Sequence, residues 1–282
     1  APNPFTTPPT WPAPVSYTAT MIDDLWHATI NGRGQMYGAD NAESTANGVR
    51  SALLDILSQS GSQVGVAVST VNLQRGDSRA YVGTYNTAGW IGDLTANPIN
   101  ITTGAISTTP AWSAGSLLTA RNWTTRVIAT FDGTTGAPFT DANVGATVNP
   151  GNIWGNTTQL VNYLRGDRSL EGTTFRARTG LLGALINSEP TVSREDNIVY
   201  FASGEGMLHA VDTVTNPGKE LWAYVPRAVH GDLGQTAQRG YAFKTQLDGT
   251  PVVGRTGASA KLLVAGMGAA GRSYYAIDVS SP

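Results

Sequence analysis

The chain of 282 residues contains no cysteine. A sequence without thiols cannot build a disulfide framework, a cysteine-ligated zinc site, an iron–sulfur cluster or a cysteine nucleophile. Charged residues are also scarce, at 13% of the chain, against about a quarter in an average globular protein. The 18 basic residues are scattered and form no basic run. Nucleic acid is therefore not an expected partner, because its binding draws on clustered contacts to phosphates.

Long hydrophobic runs are missing as well, since no apolar stretch approaches the roughly 18 residues of a membrane span. The opening residues, APNPF, have neither the charged region nor the apolar core of a signal peptide. We expect no transmembrane span, and a start that has been processed or cut from a longer chain. A cysteine-free composition rich in Asn, Thr and Ser favours a protein exported across a bacterial envelope.

Turn-forming residues are abundant instead, with 33 glycines and 15 prolines. Glycine supplies positive φ angles, and Asn, Ser and Thr bond to nearby backbone, so this composition favours many tight turns. Hydrophobic residues make up 40% of the chain, which is too many for a disordered protein. The predicted fold class is mainly β, with a short α-helical N-terminal part and a partial β-propeller at the C-terminal end.

Four domains are predicted along the chain. Residues 1–16 are a proline-rich linker, and 17–60 are a helical segment with helices at about 20–30 and 41–59. In the first helix four apolar residues share one face: Met21, Ile22, Leu25 and Trp26. Residues 61–155 form a β-rich connecting domain, and 156–282 form the start of the propeller.

Within the connecting domain, alternating apolar residues predict strands from Val64, at 80–85, at 90–94 and at 126–131. The strand from Val64 is expected to pair with the next across the turn at Arg75-Gly76-Asp77. Residues from about 133 to 155 are predicted to be a loop. A short helix is expected at 157–164.

A repeated pattern fills the last hundred residues. The first copy, at about 187–225, contains SEPTV, IVYFASG, MLHAVD and KELWAY, and the second, at about 248–282, contains GTPVV, LLVAG and YYAIDV. Pro190 corresponds to Pro251, and Ala210 to Ala276. Short strands separated by glycine-rich turns are typical of a four-stranded propeller blade. The aspartate that ends the third strand is expected to bond the amides of the following turn.

The second copy reaches Pro282 before a fourth strand. A propeller hides its sheet edges by closing around an axis with about four to eight blades. A partial propeller leaves an open edge that needs a partner. We expect the natural chain to continue past Pro282, with completion of the sheet by another chain as the alternative.

Three stretches of the chain resemble the PilY family of type IV pilus assembly and tip-adhesin proteins. They lie at 22–34 (IDDLWHATINGRG), at 161–169 (VNYLRGDRS) with 178–182 (RTGLL), and at 199–212 (VYFASGEGMLHAVD) with its continuation to residue 279. The resemblance is loosest across about 62–155. It implies that the chain covers the region after the family's von Willebrand A-like domain, together with the first propeller blades.

The resemblance also implies a function, which is type IV pilus biogenesis and adhesion at the pilus tip by binding, without catalysis. The implied partners are pilins or minor pilins and a receptor on a host or abiotic surface. The implied location is the bacterial cell surface, reached through the periplasm and the outer membrane. The family's Asp-x-Ser-x-Ser metal loop and its calcium loop are not found here. We therefore expect no metal or other cofactor in this chain, with calcium left to a part beyond Pro282.

The partner-binding candidates are Arg165, Gly166 and Asp167, the tripeptide that integrins recognise. In a tip protein these residues would serve attachment to a host. The alternative is that Arg165, Asp167 and Arg168 form local ion pairs and a turn after a short helix.

No residue is assigned a catalytic or metal-binding role. For His27, which lies four residues after Asp23 on a predicted helix, a surface hydrogen bond is favoured over a metal pair. His209 is interpreted as a packed or rim residue, and Ser203 as part of a blade turn without the Gly-x-Ser-x-Gly pattern. The sequence GMGAAG at 266–271 imitates a dinucleotide fingerprint, but it precedes a strand rather than the required helix.

Two other functions stay open. One is a secreted quinone-dependent propeller dehydrogenase, whose blades also carry Ala-x-Asp and Trp repeats. The other is a carbohydrate-binding module, suggested by the aromatic residues Trp90, Trp112, Trp123 and Trp154, although such residues are more often part of a core.

Overall fold

The structure is a computed structural model. It describes residues 12–31, 36 and 78–282, together with the backbone of residues 61–68. The chain divides into two compact units, residues 1–59 and residues 60–282. Its described part is mainly β with several helices.

In the first unit, helix α1 spans Thr20–Asn31, which confirms the helix predicted at about 20–30. The four apolar residues of its predicted face are about half exposed, at 48%, 57%, 62% and 52% for Met21, Ile22, Leu25 and Trp26. The second predicted helix, at 41–59, and residues 1–11 of the proline-rich segment lie outside the described residues.

The second unit opens with a four-stranded antiparallel sheet. Its strands are β1 (Gly61–Val68), β2 (Arg79–Asn86), β3 (Ile91–Pro98) and β4 (Trp112–Ser113), and they lie in chain order. The expected pairing of the first two strands is confirmed, with Gly61 opposite Asn86, while the turn that joins them lies outside the described residues. The sequence analysis did not anticipate helix α2 (Ala114–Ala120), which follows β4 directly. Ser113 caps this helix by accepting a hydrogen bond from the Ser116 N–H.

A six-stranded sheet lies at the centre of this unit. Its strands are β5 (Ile128–Phe131), β6 (Gly136–Pro138), β7 (Thr191–Ser193), β8 (Ile198–Ser203), β9 (Met207–Asp212) and β10 (Glu220–Val225). Their spatial order is β6-β5-β10-β9-β8-β7. All pairs are antiparallel except β5 with β10, which are parallel. Strands β7 to β10 are the four strands expected of the first repeat. Strands β5 and β6 come from the other side of the domain boundary expected at residue 155, and that division stays a prediction.

Both faces of the central sheet are covered, because every residue of β8 and β9 is buried. Val199, Phe201 and Val211 belong to one hydrophobic cluster with Tyr81 and Leu94 of the first sheet. The alternate residues of β8 and β9 belong to a second cluster, which also contains buried residues of the last sheet. Alternate side chains of a strand point to opposite faces, so the central sheet is packed between its neighbours.

The last sheet contains three antiparallel strands, β11 (Val252–Arg255), β12 (Lys261–Gly266) and β13 (Tyr274–Asp278). Leu263 of β12 is fully buried against the central sheet's cluster. The next residue, Val264, points to the other face and is 42% exposed. Val252, directly opposite Val264 in the register, is 64% exposed. One face of this sheet is therefore packed and the other is open.

The loop predicted at 133–155 is wrong. This segment contains β6, helix α3 (Asp141–Val148) and a short 3-10 turn at Pro150–Asn152. The helix has no side-chain cap and is built from Asp, Ala, Asn, Val, Gly and Thr, so its local propensity is low. Val144 and Val148 are almost completely buried, and their packing supplies the stability that local propensity does not.

Two further helices complete the unit. Helix α4 (Thr157–Arg165) confirms the helix predicted at 157–164, and Asn156 caps it by accepting from the Gln159 N–H. Helix α5 (His230–Leu233) is a single turn. No helix within the described ranges is both long enough and apolar enough to cross a bilayer.

The expected role of the aspartate after the third strand of each repeat is confirmed. Asp212 accepts hydrogen bonds from the amides of Val214, Thr215 and Asn216 at 2.8–2.9 Å. Asp278, its counterpart in the second repeat, accepts from the Ser280 amide at 2.9 Å. These bonds fix the turn that follows each strand.

Candidate functional site

A buried ion pair connects the two parallel strands of the central sheet. The Arg126 guanidinium, just before β5, donates from Nε and Nη2 to the two carboxylate oxygens of Glu220 on β10, each at 2.8 Å. Both side chains are 3% exposed. Burial alone would raise the pKa of Glu220, but Arg126 and the hydrogen bonds to the carboxylate hold that pKa far below its usual range. A two-pronged contact of this kind satisfies a buried carboxylate that water cannot reach.

His209 extends this ion pair across the sheet to a second carboxylate. Its Nδ1 lies 2.9 Å from Glu220 Oε1, and its Nε2 lies 3.0 Å from Glu205 Oε1. Burial alone would lower the pKa of His209, but the hydrogen bonds to Glu205 and Glu220 outweigh burial and raise it. The Phe201 ring stacks on the imidazole, with ring centroids 5.1 Å apart. The packed position expected for His209 is confirmed.

Hydrogen bonds link Ser203 to His209 and His209 to Glu220, which is the spatial arrangement of a serine hydrolase triad. Ser203 Oγ lies 2.8 Å from His209 Nε2, but Ser203 is completely buried. The hydroxyl also donates to the Met207 carbonyl at 3.2 Å, so it accepts from the imidazole. General-base activation of a serine needs a ring nitrogen that accepts the hydroxyl proton. Both ring nitrogens of His209 lie against carboxylates, and the Ser203 hydroxyl already donates to the Met207 carbonyl, so this arrangement is a structural network.

A cleft of about 190 Å³ lies beside the network. The β2–β3 turn, the β8–β9 turn and the segments 176–183 and 236–243 surround it. Glu205 forms part of the wall, and its Oε2 accepts a hydrogen bond from the Gly183 N–H at 2.7 Å. A side chain at position 183 would collide with this carboxylate, since a Cβ there would lie 2.0 Å from Glu205 Oε2. Glycine at 183 thus permits the close approach that fixes Glu205.

Three arginines and one glutamate line this cleft. Arg126 is paired with Glu220, as described. Arg178 donates to Glu171 Oε1 at 2.6 Å and covers the ring of Tyr163 at 3.8 Å from its centroid. Arg176 donates from Nε to the Thr236 carbonyl at 3.0 Å and has no carboxylate partner among the described residues. The cleft therefore has one guanidinium whose charge the described side chains leave unbalanced.

The tripeptide Arg165, Gly166 and Asp167 lies at the C-terminal end of α4. Arg165 points inward, donating to the carbonyls of Phe139 at 2.8 Å and Arg126 at 3.3 Å. Gly166 is the left-handed cap of the helix, with φ of 119°. Asp167 accepts from the Ser169 amide at 2.9 Å. This geometry agrees with a turn after a short helix, and the partner-binding role of these residues stays a prediction.

Comparison with curated proteins finds relatives along nearly the whole chain. The type IV pilus biogenesis factor PilY1 of Pseudomonas aeruginosa (strain PAK) is 29% identical over 338 residues, which cover 96% of this chain and 28% of that protein. A PilY1 homolog of Xylella fastidiosa (strain Temecula1) is 29% identical over 294 residues, covering 90% of this chain and 23% of that protein. The resemblance to the PilY family is confirmed.

This PilY-like chain spans about a quarter of the length of the curated relatives it matches. No protein-family model matches it, and no solved structure matches it significantly.

His230 is the second buried histidine of the PilY-like chain. Its Nε2 lies 2.9 Å from Thr130 Oγ1, and its Nδ1 lies 2.8 Å from Thr147 Oγ1. Burial, helped by the nearby positive charge of Arg227, lowers its pKa to about 4. The ring is therefore neutral at pH 7 and carries one N–H, which donates to one of the two threonine hydroxyls.

The remaining candidates from the sequence are not brought together. His27 and Asp23 lie on α1, in the first unit. The GMGAAG segment forms a 3-10 turn at Gly268–Ala270 between antiparallel strands, which confirms its interpretation as a turn. Within the described ranges, no group of three or more His, Asp or Glu side chains is arranged to hold a metal ion.

Sequence reasoning about the PilY-like chain missed the ionic network. Arg126 precedes the apolar run VIATF, and Glu220 precedes LWAYV. A charged residue beside such a run has to find a partner once the strand is buried. That signal was available for each residue alone, but nothing in the sequence says that the two strands pair.

Proposed function

We propose that this chain is part of a type IV pilus biogenesis factor that acts at the pilus tip by binding rather than by catalysis. The observation that supports it most is the similarity to PilY1 proteins, which extends over at least 90% of the chain in two organisms. The proposed partners are pilins or minor pilins and a surface receptor. The proposed location is the bacterial cell surface, with secretion through the periplasm and the outer membrane.

The chemistry of the buried groups supports a role in binding. The buried charged side chains of the central sheet pair with one another, since Arg126, His209 and Glu220 form a network that is at least 97% buried. A general base needs an accessible substrate and a free lone pair. His209 and Glu220 are buried and already bonded to each other and to Arg126 and Glu205, and we propose that the network holds the sheet together.

A propeller is the architecture that we propose for the last 130 or so residues of the chain, with the repeats as its first blades. Equivalent segments of the two repeats contact each other. The Asn187 amide donates to Asp248 Oδ1 at 2.9 Å, and the Thr191 hydroxyl donates to the Pro251 carbonyl at 2.5 Å. Side-by-side contact between matching positions is expected of neighbouring blades.

The open face of the last sheet also supports a propeller. Val252 and Val264 lie opposite each other on that face, at 64% and 42% exposure. Ala276 of β13 lies opposite Val264. Tyr274, two residues before Ala276 and on the same face, is 83% exposed. The opposite face of the same sheet packs on the central sheet. A further blade would cover the open face as the last sheet covers the central one.

Pilus counts and protein location test the proposed function together. In a strain lacking the gene, we expect few surface pili and weak attachment, with both restored by complementation. In the complemented strain, an immunoblot should find the protein enriched with pilin in the fraction sheared from cells. The shear fraction of a strain without the major pilin is the control for release of the protein by other routes.

Normal pilus numbers and normal attachment in the deletion strain would contradict the proposal. A protein found free in periplasm or medium, with a bound chromophore and dye reduction in the presence of alcohols or sugars, would favour the dehydrogenase instead.

A further inference from the structure

The cleft beside the ionic network has an aromatic wall. Trp90 stacks on Phe243 with ring centroids 3.9 Å apart and planes within 2° of parallel. Tyr85 is parallel to Trp90 within 3°, with centroids 6.4 Å apart. Trp90 nevertheless remains 36% exposed. Trp90 and Phe243 both line the cleft, and their stack forms a rigid apolar wall, with Tyr85 behind it outside the lining.

The backbone at Trp90 shows that this position is imposed by its surroundings. Its φ is +53°, in the left-handed region that bulky residues rarely adopt. Such an outlier persists only where the surrounding structure holds it. Here the stack with Phe243 and Tyr85 holds the tryptophan of the β2–β3 turn at the mouth of the cleft.

Beside the aromatic wall, Arg176 favours a negatively charged group on the ligand. Its Nε is fixed by the Thr236 carbonyl at 3.0 Å, and its guanidinium lies over the Tyr241 ring at 5.4 Å from the centroid. The described residues provide no carboxylate for it, in contrast to Arg126 and Arg178 on the same wall. A guanidinium fixed in this way can receive a carboxylate with two parallel hydrogen bonds.

Glu205 adds an acceptor for neutral polar groups. Its carboxylate is held by the Gly183 amide and by His209, and its side chain is 22% exposed. A carboxylate fixed at a cleft wall accepts hydrogen bonds from hydroxyl groups. The cleft thus combines an apolar aromatic wall, one arginine without a described carboxylate partner and one hydrogen-bond acceptor.

We propose that this cleft binds an acidic sugar, with its carboxylate on Arg176, its ring against the Trp90–Phe243 stack and its hydroxyls near Glu205. This inference rests on the proposed adhesive function, for which it names the ligand class. The volume of about 190 Å³ is below the roughly 300–1,000 Å³ of pockets for drug-sized ligands. It therefore accepts a single sugar ring, such as the terminal residue of a surface glycan.

Two sugars that differ only in the carboxylate test this directly. Binding of methyl glucuronide and of methyl glucoside to the purified protein is measured by saturation-transfer NMR and by titration calorimetry. N-acetylneuraminic acid is included as a second acidic ring. We expect the acidic sugars to bind at least tenfold more tightly than the glucoside. Equal binding of glucuronide and glucoside, or no binding of either acidic sugar, would overturn the proposal.

Variants then locate the site. Arg176→Gln should weaken glucuronide binding at least tenfold. Arg176→Lys should weaken it less, because lysine keeps the positive charge but lacks the two parallel N–H donors of the guanidinium. The matched control is Arg272→Gln, which removes the same charge at an exposed position outside the cleft, and it should bind normally. Normal binding by Arg176→Gln would place the site elsewhere. The comparison of sugars on the unaltered protein stands even where a variant fails to fold.

Other acidic ligands provide the competing outcome. A short acidic peptide that displaces the glucuronide at equal concentration would show a carboxylate site without sugar selectivity and would overturn the proposal.

The experiments test the proposed sugar site and the proposed pilus function independently. If the deletion strain has normal pili while the purified protein binds glucuronide, the function is wrong and the cleft is right. If the deletion strain loses pili while no acidic sugar binds, the cleft is wrong and the function is right.

Discussion

The central sheet and the last sheet arise from two copies of one sequence pattern, yet their surroundings differ. Strand β8 (IVYFAS) is buried along its whole length, whereas β12 (KLLVAG) alternates between buried and partly or largely exposed residues. Both strands are apolar, so hydrophobicity alone does not distinguish them. The difference lies in the neighbours, because the central sheet is covered on both faces and the last sheet on one. A repeat therefore specifies the strands, while the number of adjacent sheets determines burial.

The largest expected effect comes from breaking the ionic network inside the covered sheet. Glu220→Ala leaves Arg126 and His209 buried without their shared carboxylate. We expect a loss of about 3–5 kcal/mol in the free energy of unfolding, because removing one partner of a buried pair leaves an uncompensated charge. Urea denaturation followed by circular dichroism measures it. Glu195→Ala removes a carboxylate that is 58% exposed in its pair with Arg255, and it should cost less than about 1 kcal/mol. Similar losses for the two variants would contradict the argument.

A core truncation on the packed face of the last sheet should have the next largest effect. Leu263 is fully buried against the central sheet. Leu263→Ala is expected to lower the free energy of unfolding by about 2–5 kcal/mol, from lost burial and the cavity left behind. The measurement is chemical denaturation at constant pH. A loss below about 1 kcal/mol would mean that the two sheets are not firmly packed.

Acidification should weaken the protein through His230. Its pKa is lowered to about 4 in the folded protein, against about 6.5 when unfolded. The unfolded state therefore binds the proton first, and stability falls as pH decreases from 6.5 towards 4. The expected loss at pH 5 is about 2 kcal/mol. His230→Gln should remove this part of the pH dependence, as measured by unfolding at pH 7 and pH 5.

His209 should have the opposite pH dependence, because its pKa is raised. Its contribution to stability is complete below about pH 6.5 and is lost as pH rises through the folded-state pKa.

An unchanged pH profile in the His230→Gln variant would contradict the assignment of the acid effect to His230.

The smallest effect is expected on the open face. Val264→Thr replaces a methyl group by a hydroxyl at a site that is 42% exposed. We expect a change within about 0.5 kcal/mol in this chain, as for most surface substitutions. In a longer natural protein with a further blade over this face, the same change should cost about 1–3 kcal/mol, because the hydroxyl is then buried. Unfolding of both proteins measures the difference, and equal values would argue against a further blade.

The sequence predicted most of the strands but not how they associate. Apolar residues next to glycine-rich turns mark the strands at 198–203, 207–212 and 261–266. Such a local pattern is enough to predict a strand. The aspartates at 212 and 278 were also predictable, because capping of a turn depends on only a few neighbouring residues. Helix α3 was missed because Val144 and Val148 stabilise it through packing, which no local pattern reveals.

The candidate cleft depends on residues that are distant along the chain. Trp90 was noted in the sequence as one of four aromatic candidates, and Arg176 and Glu205 were not singled out. Trp112, by contrast, is 9% exposed and belongs to the core. Which tryptophan is accessible depends on the packing of turns from four segments, and a single sequence does not encode that packing in any local signal.

The parallel pair β5–β10 has a consequence for the order in which the protein folds. The Thr130 hydroxyl on β5 donates to the Val225 carbonyl on β10, which lies 95 residues later in the chain. Closing so long a loop is slow, whereas the hairpins from β7 to β10 join strands that are adjacent in sequence. We expect the hairpins to form first and β5 to join the completed meander last. Of the strands in the central sheet, β5 is synthesised first but pairs with β10 late, and until then its edge is exposed to aggregation.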